Sequence, residues 1–116
     1  RQVISETSSS TMRTILESVV DHPNSLYPTV PGYRIGAKTG TAQVPSPAGG
    51  YIDNATIASI IGFGPVEHPR FSVLVKIDWP KEEGTGLQVS GPVLQKVFEQ
   101  LFLLYGIPPD DLEAAP

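Results

Sequence analysis

Residues 33–44 read YRIGAKTGTAQV, from Tyr33 to Val44. The run reads as a strand interrupted by glycines, closed into a loop by Pro45, Pro47, Gly49 and Gly50. Its lysine, threonines and glycines also invite a phosphate-cradling reading. That reading needs G-x-x-x-x-G-K-[ST] with a helix directly after it. Here Gly32 and Gly36 are too close together, Ala37 stands between Gly36 and Lys38, and Pro45 follows where a helix should begin. The stretch is a strand, and the neighbouring sequence must supply the sheet that holds it.

Two further β-prone runs do so, Ala55 to Phe63 and Phe71 to Trp79, joined through residues 64–70 as a hairpin. In the second run Phe71, Val73, Val75 and Ile77 share one face, while Ser72, Lys76 and Asp78 share the other. A helix precedes the sheet. Met12, Ile15, Leu16, Val19 and Val20 recur at helical spacing, and Ser5 to Thr11 suit a capped start with Glu6 at the positive end of the dipole. A second helix follows from about Pro92 to Tyr105, with Leu94, Val97, Phe98, Leu101, Leu104 and Tyr105 as its stripe, Ser90 as a cap and Gly106 as a stop. The expected fold class is α+β: a three-stranded antiparallel sheet packed by an N-terminal and a C-terminal helix on one face. Residues 1–106 form this unit, and 107–116 read as a tail or linker. Two open sheet edges remain, each a liability or a docking site.

Composition narrows the function. The chain has 116 residues, enough for one domain. Apolar residues make up 40% and charged residues 17%, the balance of an ordinary globular piece. A net charge of −4 disfavours nucleic acid as a partner. No apolar run reaches the roughly 18 residues of a membrane span. There is no cysteine, so disulfides and thiolate metal sites are excluded. No metal or organic cofactor is suggested. The first residue is Arg1 and the first helix begins almost at once, so the sequence reads as a piece of something longer.

Lys38-Thr39-Gly40 matches the K-T-G triplet that accompanies S-x-x-K and S-D-N in penicillin-binding proteins and class A β-lactamases. The flanks carry more weight than the triplet. GYRIGAKTGTAQV, ATIASIIGFGP, FSVLVKIDWP and SGPVLQKVFEQLFLLYGIPPD, in that order, resemble the C-terminal part of the transpeptidase domain of a class B penicillin-binding protein. The resemblance covers nearly the whole chain. It implies a fragment of the penicillin-binding and β-lactamase-like fold, acting on peptidoglycan stem peptides that end in D-Ala-D-Ala and acylated by β-lactams. It also implies anchoring by an N-terminal membrane helix and action outside the cytoplasmic membrane.

On that resemblance the K-T-G strand faces the cleft at a sheet edge, where a substrate backbone adds as another strand. Lys38 would bring positive charge near the second-motif serine and the substrate carboxylate. The hydroxyls of Thr39 and Thr41 would bond that carboxylate, and Gly40 would let the acyl group approach the backbone. The Thr41 N–H would be one oxyanion donor, beside that of the nucleophilic serine. Strict alternation, however, sets Lys38 and Gly40 on one face and Thr39 and Thr41 on the other. No serine here is followed by lysine three residues on, or by asparagine two residues on. The nucleophile must therefore come from an N-terminal part of the same protein, and this chain alone should be inactive. The alternative is a non-catalytic domain of the same fold that binds another polypeptide along a sheet edge.

Other conspicuous residues have plainer readings. His22 and His68, beside prolines, read as solvated. Asp78-Trp79-Pro80 ends a strand, Ser8 to Ser10 begin a helix, Glu82-Glu83 form a solvated turn, and the aromatic residues of the last helix are core.

Overall fold

The computed structural model describes residues 1–80 and 85–111, so the turn read at Glu82-Glu83 lies outside the described residues. Helix α1 spans Glu6–Asp21 and is capped by Ser5, whose hydroxyl accepts the Ser8 N–H at 3.0 Å. Strands β1 (Gly36–Pro45), β2 (Tyr51–Gly64) and β3 (Phe71–Asp78) form one antiparallel sheet in the order β1-β2-β3. Helix α2 spans Gly86–Leu104.

The register assigns every side chain to a face. Ala37, Thr39 and Thr41 lie opposite Gly62, Ile60 and Ala58, which lie opposite Val73, Val75 and Ile77. This face receives α2. Leu94, Phe98 and Phe102 are buried almost completely against it, and a Cβ at Gly62 would stand 3.0 Å from both Leu94 and Phe98. Bare backbone at Gly62 is what lets the helix sit this close. Gly86 makes an even tighter approach at the start of α2. A Cβ there would fall 2.4 Å from the Gly40 carbonyl oxygen and 2.5 Å from that of Ser59, and neither backbone oxygen can yield.

The two helices do not share a face. Gly36 points away from Ala37, and a Cβ on it would meet Leu16 of α1 at 3.3 Å. Arg34 lies two residues before it, and its guanidinium grips the buried Glu17 of α1 through Nε and Nη2, while Nη1 reaches Glu67 at 2.6 Å. Helix α1 thus meets the start of β1 from the side opposite α2. A helical stripe says which face of a helix is apolar but not which side of a sheet receives it. The bonds to Glu17, and then to Glu67, raise the Arg34 pKa further above its ordinary value and keep the clasp charged. Val20 of α1 is also buried and joins the core, while Met12 and Ile15 are about half exposed.

Helix α2 starts six residues earlier than its proline suggests. The cap is Thr85, not Ser90: the Thr85 hydroxyl accepts the Gln88 N–H at 3.4 Å, and Gln88 Oε1 accepts the Thr85 N–H at 3.0 Å. This reciprocal box satisfies two end donors at once and sets the start ahead of Pro92. Pro92 is carried inside the helix, where it leaves the Gln88 carbonyl without its usual donor. Ser90 is fully buried and donates to the Ala58 carbonyl at 3.2 Å, tying α2 to β2. The core stripe also differs from the expected one. Phe102 is buried in place of Leu104, which is 78% exposed, because Phe102 lies one turn beyond Phe98 over Gly64.

At the other end Gly106 takes φ +59°, and the N–H groups of Gly106 and Ile107 close on the carbonyls of Leu103 and Phe102. That reversal sends the next residues back onto the fold. Ile107 joins the core, the Tyr33 hydroxyl donates to its carbonyl at 2.8 Å, and Asp110 Oδ2 accepts the Arg34 N–H at 2.7 Å. Within 107–111, Ile107 is buried and Asp110 is tied to the fold, while Pro108 and Asp111 are exposed.

Two substitutions test this packing by urea unfolding. Phe98→Ala should cost about 3–5 kcal/mol by opening a cavity, whereas Leu104→Ala should cost less than about 0.5 kcal/mol. Gly86→Ala should cost about 1–3 kcal/mol, because its methyl group meets fixed carbonyls rather than a movable side chain.

Candidate active site

Among the described residues strand β1 has a neighbour on one side only, so alternate residues turn their N–H and C=O groups away from the sheet. Thr39 identifies the outward set, because its N–H donates to the Tyr27 hydroxyl at 3.1 Å rather than to β2. Two residues on, Thr41 presents its own N–H and C=O at the same edge, and it is exposed. This edge is where the sequence places its candidate residues.

Alternation does set Lys38 and Gly40 on the opposite face from Thr39 and Thr41, as their partners Ile61 and Ser59 against Ile60 and Ala58 require. Lys38 overcomes this by length. Its four-carbon stem rounds the open edge and brings Nζ to 3.1 Å from the Thr39 carbonyl oxygen and 3.5 Å from Thr39 Oγ1. Among the described residues no carboxylate forms an ion pair with it. An ammonium, a hydroxyl and an outward backbone N–H thus stand along one exposed edge without a compensating anion. That arrangement can receive a carboxylate and a developing oxyanion.

The threonine hydroxyls are held from beneath. Thr39 Oγ1 lies 2.9 Å from the Tyr27 hydroxyl, and Thr41 Oγ1 accepts the Gly86 N–H at 2.9 Å. A hydroxyl that accepts from its own fold still has a proton to donate outward. Gly40 is constrained from the sheet as well: a Cβ would stand 2.8 Å from Ser59 Oγ, which donates to the Gly40 carbonyl at 3.2 Å.

Sequence reasoning missed Tyr27 and Gly86. Tyr27 lies 12 residues before the threonine it touches, in a loop with no motif, and nothing local points to it. Gly86, at the first position of α2, had a signal in the Thr85-to-Gln88 capping box, which the following proline obscured. His22 and His68 are both exposed; His22 Nδ1 accepts the Asn24 N–H at 3.2 Å in the turn after α1. Among the described residues no three His, Cys, Asp or Glu side chains gather, and no helix is long and apolar enough to cross a membrane.

Comparison with known proteins identifies the family. The profile of the penicillin binding protein transpeptidase domain matches residues 1–99. Stage V sporulation protein D of Bacillus subtilis is 40% identical over 112 residues, covering 94% of this chain and 17% of that relative. The peptidoglycan D,D-transpeptidase FtsI of Buchnera aphidicola is 31% identical, covering 95% of this chain and 19% of that relative. Among solved structures, the transpeptidase domain of Burkholderia pseudomallei penicillin-binding protein 3 superposes with a TM-score of 0.82 at 38% identity, over 95% of this chain and 34% of that one. The chain therefore spans about a fifth of the length of these curated relatives. It belongs to the penicillin-binding protein transpeptidase domain family, as a C-terminal part of a class B member's transpeptidase domain.

Proposed function

We propose that this segment supplies the edge strand of the acyl-transfer site in a peptidoglycan D,D-transpeptidase. The observation that supports it most is the open edge of β1, where Lys38 Nζ lies 3.1 Å from the Thr39 carbonyl with no carboxylate partner among the described residues, beside the outward N–H of Thr41. The nucleophilic serine comes from an S-x-x-K motif in the N-terminal part of the same protein, and S-x-N from that part as well.

The substrate is a stem peptide ending in D-Ala-D-Ala. It lies along β1, with its terminal carboxylate at Lys38 and the hydroxyls of Thr39 and Thr41. The serine oxygen adds to the penultimate carbonyl, and the carbonyl oxygen takes up negative charge against the Thr41 N–H and the serine's own N–H. Collapse of the adduct breaks the peptide bond and expels the terminal D-alanine as an amine, leaving an acyl-serine. An amine of a second stem peptide then takes the acyl group, forming the crosslink and releasing the serine. A β-lactam follows the first half of this path and stops, because its leaving amine stays tethered. The site lies outside the cytoplasmic membrane, to which an N-terminal helix anchors the protein. No metal or cofactor takes part. Without the N-terminal part, the segment has no nucleophile and no activity.

Penicillin acylation of the intact protein, followed by mass spectrometry, tests the assignment. Lys38→Ala should slow acylation by about 100-fold, the scale of losing one preorganised electrostatic contact. Thr41→Val should slow it by about tenfold, as expected for one lost hydrogen bond to a charged group. Melting temperatures should stay near wild type in both. Wild-type acylation rates in both variants would sink the assignment.

A further inference from the structure

Tyr27 makes two hydrogen bonds to the K-T-G-T strand, and no step of the reaction above uses it. Its hydroxyl oxygen accepts the Thr39 N–H at 3.1 Å and stands 2.9 Å from Thr39 Oγ1. The bond between the two hydroxyls can run either way; with the phenol donating, Thr39 Oγ1 is the acceptor. The Thr39 hydroxyl then keeps its own proton for whatever lies outside the strand. The tyrosine is itself moored. Its N–H donates to Ser25 Oγ at 3.1 Å, and Ser25 Oγ donates to the Val19 carbonyl in the last turn of α1 at 2.8 Å. The ring is half-buried and packs against the hydrophobic core.

The same contacts close part of the edge. With the N–H of Thr39 on Tyr27, an added strand finds no donor there, and the Thr39 C=O already receives Lys38 Nζ at 3.1 Å. A full N–H and C=O pair is offered to an added strand first at Thr41. A chain laid on this edge must stop beside Thr39, and what waits there is an ammonium and a hydroxyl whose proton points outward. Those groups suit a chain that ends in a carboxylate.

We infer that Tyr27 is a positioning and specificity residue: its hydroxyl blocks the strand edge at Thr39 and orients the Thr39 hydroxyl to receive a C-terminal carboxylate. This inference rests on the transpeptidase reading. It concerns recognition of the carboxylate, not the attack on the acyl group.

The test uses the intact protein and two probes, a penicillin and its methyl ester, with the acylation rate of each followed by mass spectrometry. Tyr27→Phe keeps the ring and removes only the hydroxyl. It should lower the ratio of penicillin to methyl-ester rates by about tenfold, the scale of one hydrogen bond to a charged group, with an unchanged melting temperature. Thr39→Val should lower the ratio similarly, and adding Tyr27→Phe to Thr39→Val should change it little further, since the two act through one contact. A ratio equal to wild type in Tyr27→Phe, or equal fractional losses with both probes, would overturn the inference. Lys38→Ala separates the two levels. If Lys38→Ala abolishes acylation while Tyr27→Phe keeps the wild-type ratio, this inference alone fails. If Lys38→Ala and Thr41→Val both acylate at the wild-type rate, the assignment of this edge fails and takes the inference with it.

Discussion

A β-strand paired on one side only offers half of its backbone groups to the outside, and in β1 that half is fixed by the register to β2. Everything proposed for this segment depends on which half it is. A slip of one residue would turn the N–H of Thr41 into the sheet and move Lys38 onto the opposite face. The register is therefore the quantity the rest of the fold must defend. It does so by burying the middle of one face: Ile60 and Ala58 cannot exchange places with Ile61 and Ser59 without lifting α2 off the sheet. The bond from Ser90 to the Ala58 carbonyl pins the same register from the helix.

Glycines set the distances at which this defence works. Gly62 brings Leu94 and Phe98 down onto β2, and Gly86 sets the first turn of α2 against the carbonyls of Gly40 and Ser59. The second approach has a chemical consequence, because it leaves the Gly86 N–H within 2.9 Å of Thr41 Oγ1. Core packing and the orientation of a site hydroxyl are thus one arrangement, read at different points along the same helix. On the opposite side Arg34 and Glu17 couple α1 to the start of β1, and Ser25 carries that coupling on to Tyr27. The edge strand is held from both faces while its outer margin stays open at Thr41.

Much of this was legible in the sequence, for physical reasons that also explain the gaps. The alternation of Phe71, Val73, Val75 and Ile77 has a period of two that a half-buried strand imposes, and the structure keeps it. The helical stripes were visible, but periodicity says nothing about which side of a sheet a helix takes, so the shared-face expectation failed at Gly36 and Leu16. Ser90 and Pro92 resemble a helix start, and only the reciprocal bonds of Thr85 and Gln88 show that the helix has already begun. The K-T-G-T residues were conspicuous as a motif, yet alternation alone separated Lys38 from the threonines. A long flexible stem reaching round an edge leaves no trace in a pattern of faces. Tyr27 was hidden altogether, because its role arises from tertiary contact and not from its neighbours in sequence.

The most direct test of the account is a crystal structure of the intact protein acylated by a penicillin. The acyl carbonyl oxygen should lie about 3 Å from the Thr41 N–H, at hydrogen-bond distance for an oxyanion donor. The drug's carboxylate should rest among Lys38, Thr39 and Thr41, with the Tyr27 hydroxyl still on the Thr39 N–H. An adduct seated away from β1, or a Thr41 N–H turned into the sheet, would contradict the claim that this edge forms the acyl-transfer site.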